Sequence, residues 1–171
     1  MSVSSSRLPS LGPRGEGWVL GQLLLLALVG LLGVRRHDRG LRASGARRPL
    51  AVIGAALLFG GALLAGRAVH QLGPSVTPMP RPRPEARLVR TGVYAEIRHP
   101  IYAALILLAL GWATATASLA SGIVAAVLAI WLDAKARREE AWLADRFPDY
   151  AGYRATTSRF LPGVYLATAG G

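Results

Sequence analysis

The chain alternates between long stretches without a charged residue and short stretches dense in arginine. The first uncharged stretch covers residues 17–34, the second 49–66 and the third 101–132. A helix crossing about 30 Å of hydrocarbon needs about 20 apolar residues at about 1.5 Å each. The first two stretches fit one span apiece. The third is too long for one span and short for two. Its middle holds Thr114, Thr116, Ser118 and Ser121 among small residues. That pattern predicts a tight helical hairpin turning at 114–118, with both helices extending past the apolar stretch; one long kinked helix is the alternative. The pattern as a whole predicts an all-α integral membrane protein with about four transmembrane helices. The last two form the hairpin, followed by a cytosolic C-terminal helix and arm.

The flanks refine this picture. Arg7 and Arg14 precede the first stretch, as in a secretory signal. However, Arg35 and Arg36 stand where a small-residue cleavage site would be, so the stretch reads as an uncleaved span. Residues 1–16, with their serines, Pro9 and Pro13, read as a disordered N-terminal tail. Residues 17–72 read as two N-terminal transmembrane helices in which no polar residue demands a role. Gly54, Gly60, Gly61 and Gly66 suit close helix packing there. Residues 73–171 read as the membrane-hairpin region. It opens with Pro74, Pro78, Pro80, Pro82 and Pro84, a segment that cannot be helical and is expected to run along the membrane surface. Pro100 fits the first turn of a helix starting near His99. No breaker interrupts residues 123–146, so the last span can continue out of the bilayer until Pro148 stops it. The hairpin then brings residues 87–102 and 133–153, both rich in charge and aromatics, to one membrane face. His99 and Glu139 become neighbours.

Composition supports the membrane reading: 52% of residues are hydrophobic, and they are pooled rather than scattered. The net charge of +11 comes almost wholly from arginine, with Lys135 the sole lysine. The arginines sit beside apolar stretches, so membrane lipids with anionic headgroups, and no nucleic acid, are the expected partners. With no cysteine the chain has no disulfide, thiolate metal site or cysteine nucleophile. His37, His70 and His99 are too scattered to suggest a metal site. Orientation follows from the basic residues. With both termini inside, fourteen lie on the cytoplasmic side and six, in the first connection, outside. Those six conflict with the rule, and a re-entrant second stretch would remove the conflict.

Residues 88–102, Leu-Val-Arg-Thr-Gly-Val-Tyr-Ala-Glu-Ile-Arg-His-Pro-Ile-Tyr, resemble the signature of the isoprenylcysteine carboxyl methyltransferase family, a G-x-Y-x-x-x-R-H-P-x-Y pattern at the start of a membrane hairpin. Downstream, Glu139-Glu140, Leu143, Phe147, Tyr150, Tyr153 and Arg159-Phe160-Leu161-Pro162 continue the resemblance, which covers about residues 86–162. Phospholipid N-methyltransferases look similar in the same region. The resemblance implies S-adenosyl-L-methionine as cofactor, bound at the cytoplasmic face. It places Leu88, Val89, Tyr94, His99, Pro100, Ile101, Tyr102 and Glu139 at cofactor contacts. The side chains suit the ligand: aromatic rings for a purine or a sulfonium, a carboxylate for ribose or ammonium, and free N–H groups at a helix start for a carboxylate. No glycine-rich dinucleotide loop is visible.

A carboxylate acceptor of a methyl group needs no general base, only alignment and exclusion of water. In the family an arginine four residues before the matching Glu positions that carboxylate; here Lys135 occupies its place, with Arg138 nearby. Lysine lacks the planar two-pronged geometry of arginine. Lys135 and Arg138 are the candidates for the catalytic position, and Arg98 and Glu140 complete the site. Plainer roles stand beside these. Arg98 can snorkel to phosphates, Glu139 and Glu140 can form a solvated face paired with Lys135 and Arg138, and Trp131 and Trp142 can belong to an interfacial belt. Two readings follow: a multi-pass membrane methyltransferase of a lipophilic small-molecule or lipidated acceptor, expected in a bacterial inner membrane, or a non-catalytic scaffold or partner subunit. Prenylcysteine, phospholipid amine, isoprenoid acid and small thiol all remain as acceptors.

Overall fold

The computed structural model describes residues 8–35, 47–82 and 84–163. Among these residues there are five α-helices and no strand. They are α1 (Glu16–Val34), α2 (Arg47–Leu72), α3 (Pro100–Ala115), α4 (Leu119–Arg146) and α5 (Tyr150–Thr156). Three of them, α1, α2 and α4, are long and apolar enough to cross a membrane. The third is apolar but has only 16 residues, about 24 Å of helix. The long helices carry large apolar side chains outward: Leu24, Phe59 and Ile130 are 67, 73 and 71% exposed. Helices apolar all round belong in hydrocarbon or a large core.

Local signals account for the helix ends. Pro100 takes the first position of α3 after His99, where its missing N–H costs no bond. The turn between α3 and α4 is three residues long, and Ser118 caps α4 by accepting the Ser121 N–H at 3.2 Å. Past the apolar stretch α4 runs on to Arg146, and its chain then turns at Phe147 and Pro148. The second uncharged stretch lies within one continuous helix of 26 residues rather than a re-entrant loop.

In space the closest pairings are α2 with α3, and α1 with α4; α3 also packs on α4. Small residues permit the first of these. A Cβ at Gly54 would collide with the backbone of Ala115, and one at Gly111 would approach the Leu58 nitrogen to 2.9 Å. Val29, Ala109, Ala125, Leu128 and Leu132 form the core between α1, α3 and α4. At the turn end, Ser118 and Ser121 hydroxyls donate to the Leu32 and Val29 carbonyls of α1, and Trp112 donates to Gly30. The opposite end gathers the start of α1, the end of α2, the start of α3 and the second half of α4.

One segment departs from the sequence reading, and a second adds to it. Residues 1–7 lie outside the described residues, as does most of the arginine-rich first connection (36–46). The rest of the expected disordered tail, 8–15, is folded against the proline segment. Arg81 donates from its backbone to Arg14 and from its guanidinium to Pro13, and the Trp18 indole donates to Pro9. The proline segment is anchored at one point: Pro74, Pro78 and Pro84 are exposed and Pro82 is half-buried. Pro80 is fully buried, packed where a Cβ on Gly15 would strike it. A proline has no N–H to donate but keeps a carbonyl that can accept. Lys135 bonds that of Pro78 at 2.9 Å, and Arg146 that of Pro84.

Candidate functional site

At this end lies a cavity of about 380 Å³, within the usual size range of small-molecule sites. Its walls come from α1, α2, the proline segment, the 88–102 stretch, α3, α4 and α5. Leu88, Val89, Tyr94, His99, Pro100, Ile101, Tyr102 and Glu139 all line it, together with Arg98 and Lys135. Arg138 and Glu140 do not. Sequence reasoning missed Gln22, Met79, Thr77 and Pro78, which also line it.

The 88–102 stretch is held from three sides. Gly92 has φ +59° and sits against Gln71, where a Cβ would collide. Only glycine adopts this backbone freely, and it lets the Gln71 amide oxygen accept the Val93 N–H at 2.9 Å. The Tyr94 hydroxyl donates to Ala68 on α2, and Tyr153 donates to the Tyr94 carbonyl at 2.6 Å. Burial raises the Tyr94 phenol above its ordinary value and pushes that of Tyr153 up to about 12. Both therefore stay protonated donors at neutral pH. The backbone N–H groups of Arg98 and His99 bond the Ser158 and Arg159 carbonyls at 2.8 and 3.1 Å.

The adjacent carboxylates on α4 differ. Glu140 is 3% exposed at its side chain. It accepts from Arg98 Nε at 3.2 Å, His99 Nε2 at 3.2 Å, and Arg159 Nε and Nη2 at 3.0 and 3.2 Å. Arg159 also pairs with Asp133 at 2.6 Å, and Arg98 donates to the Arg154 and Thr157 carbonyls. Arg98 and Glu140 are thus neither a phosphate anchor nor a solvated face; a buried charge persists only when paired and hydrogen-bonded, and here they fasten the C-terminal arm. Glu139, one residue earlier, points into the cavity. Its carboxylate accepts the Tyr102 hydroxyl at 2.6 Å, and His99 Nδ1 lies 3.9 Å away. The His99 and Tyr102 rings stack at 5.3 Å.

Lys135 does not pair with Glu139. It is fully buried, and its ammonium donates to Gln22 Oε1 at 2.6 Å and to Pro78 O, 5.0 Å from the centre of the Tyr102 ring. Gln22 corrects the reading that the N-terminal spans hold no polar residue of consequence. Arg138 lies over the Trp142 ring at 4.3 Å. Trp131 donates to the Trp18 carbonyl at 3.0 Å. Among the described residues no group of three or more histidine, aspartate or glutamate side chains is placed to hold a metal ion.

The chain is 38% identical over 80 residues to the cobalt-zinc-cadmium resistance protein CzcN of Cupriavidus metallidurans. That alignment covers 46% of this chain and 37% of the relative, so the chain spans well under half of that protein. The family profile of the phospholipid methyltransferases matches residues 50–150, from α2 through the turn that opens α5, and takes in most of the cavity wall. The protein is a member of the phospholipid methyltransferase family of membrane methyltransferases.

Proposed function

We propose that the protein transfers a methyl group from S-adenosylmethionine to a lipophilic acceptor that reaches the cavity from the bilayer. The observation that carries this reading is the convergence, on one cavity, of Glu139, Tyr102, His99 and Tyr94 from separate elements. The donor set suits the cofactor: a carboxylate for a hydroxyl or ammonium, stacked rings for a purine or a sulfonium, and largely apolar walls. When bound, S-adenosylmethionine supplies an electrophilic methyl group, which passes to an acceptor lone pair as its bond to sulfur breaks and a neutral thioether is left. Tyr102 holds the Glu139 carboxylate, His99 and Tyr94 shape the adjoining wall, and the proline segment forms another wall. Exclusion of water and alignment are what such a displacement asks of a protein.

Two acceptor chemistries fit. An acidic lipophile methylated on its carboxylate would meet the Lys135 ammonium. A phospholipid amine, suggested by the family, would have to arrive unprotonated. In both cases α3 serves as a fourth crossing, the cavity end faces the cytoplasm, and the basic residues of 81–98 and 135–159 lie at that face.

Calorimetry on the purified chain tests the cofactor. Wild type is expected to bind S-adenosylmethionine and its demethylated product. Glu139→Gln should lose one charged hydrogen bond, about 1.5–3 kcal/mol, or about 10- to 100-fold in affinity, and His99→Ala should also weaken binding. No binding by wild type at high ligand concentration would favour the scaffold reading instead. Transfer of labelled methyl groups in membrane extract, with the product identified, then names the acceptor.

A further inference from the structure

Lys135 and Glu139 are one helical turn apart on α4, the spacing at which opposite charges ordinarily pair. Both line the cavity, yet they form no ion pair. The lysine is drawn to the opposite side, to Gln22 of α1 and to the proline segment, while Glu139 is taken by Tyr102 of α3. Gln22 is 9% exposed, lies in the middle of an uncharged stretch, and is outside the span of the family profile. A buried ammonium with two neutral acceptors is a poor match for lost hydration. Removing the amide would leave one acceptor, and Glu139 is the nearest carboxylate on the same helix face.

We propose that Gln22 is a positioning residue that holds the Lys135 ammonium on the α1 side of the cavity and keeps it from pairing with Glu139. The cavity thereby keeps a positive and a negative group at separate points, each available to an opposite charge on a ligand. Beyond its bond from Tyr102, Glu139 keeps lone pairs for the positively charged cofactor, and Lys135 keeps a third N–H for an oxyanion of the acceptor. This assignment of the two charges to ligands rests on the function proposed above; the separation itself does not.

Because Lys135 is the sole lysine, ε-13C-lysine labelling of the full chain in nanodiscs gives one side-chain signal. In wild type that signal should respond only weakly to Glu139→Gln, through the long-range pull of that carboxylate and the shared Tyr102 ring. In Gln22→Met it should shift and become sensitive to Glu139→Gln. Gln22→Glu keeps an acceptor in place, so its lysine signal should respond to Glu139→Gln no more strongly than in wild type. A wild-type signal that already responds to Glu139→Gln as strongly as in Gln22→Met overturns the proposal, and so does a Gln22→Met signal that stays where it was. These arms need no ligand, so they decide the separation even if wild type binds no cofactor, a result that would sink the proposed function alone. The ligand arm adds a rescue. Gln22→Met should weaken S-adenosylmethionine binding about tenfold, the scale of one charged hydrogen bond. Gln22→Met with Lys135→Met should recover most of it, because no ammonium is left to occupy Glu139. A double variant that binds no better than the single one assigns Gln22 to helix packing and overturns the proposal.

Discussion

Replacing Glu140 by glutamine preserves its shape and removes its charge. In the native protein that charge faces Arg98, His99 and Arg159 within 3.2 Å, and the side chain is 3% exposed. The substitution leaves two buried guanidinium groups short of a counter-charge and places an amide donor against their donors. Breaking a buried pair by removing one partner costs about 3–5 kcal/mol. Asp133 still pairs with Arg159, and Arg98 keeps its bonds to the Arg154 and Thr157 carbonyls, so the lower end, about 3 kcal/mol, is expected. At about 2–4 °C per kcal/mol for a chain of this size, the melting point should fall by about 6–12 °C. Tryptophan fluorescence of the detergent-solubilised protein reads this directly. Glu139→Gln is the internal control: that side chain borders the cavity and is held mainly by Tyr102, so its loss should move the melting point far less while it weakens cofactor binding. Equal melting points for the two variants, or a Glu140→Gln protein as stable as wild type, would refute the division of labour between these neighbours.

Two further outcomes follow from packing and ionisation. Gly54→Ala should destabilise by about 1–3 kcal/mol through overpacking, since its Cβ meets the Ala115 backbone. Gly60→Ala on the same helix meets nothing within 4 Å and should stabilise by about 0.5–1 kcal/mol; identical melting shifts would show that α2 and α3 do not cross as described. Tyr153→Phe should cost about 1 kcal/mol at neutral pH by losing the bond to the Tyr94 carbonyl. The folded-state value of Tyr153 is raised from 10.0 to about 12, so its contribution is complete below pH 10 and is lost as pH rises towards 12. The stability of the Phe variant, measured against pH, should fall less steeply in that window, and a parallel decline would place the Tyr153 hydroxyl elsewhere.

Much of the helical layout was legible because it rests on local properties. Uncharged length marks α1, α2 and α4, Pro100 marks the start of α3, Ser118 the turn, and Pro148 the stop. The approach of His99 to Glu139 followed from connectivity alone. What was not legible depends on contacts distant in sequence. Gln22 looks incidental among leucines until Lys135 is placed against it. Two consecutive glutamates differ by about 100° around a helix, and only the position of the C-terminal arm decides which one is buried. In the proline segment, proline rules exclude helix but say nothing of which cations seek its carbonyls. Arg159 carries no local sign that it reaches back to Asp133 and Glu140.

The backbone bonds from Arg98 and His99 to residues 158 and 159 bear on how the protein is made. Synthesis runs from the N-terminus and early segments insert first. Gln22 is thus in the bilayer long before Arg159 leaves the ribosome. Until that last arm docks, His99 lacks the partners that fix its backbone, and Glu140 lacks one of its cations. The nascent chain can hold all its long apolar helices in the membrane and still have no finished binding site. Ligand competence should therefore appear late and in one step, when the arm closes.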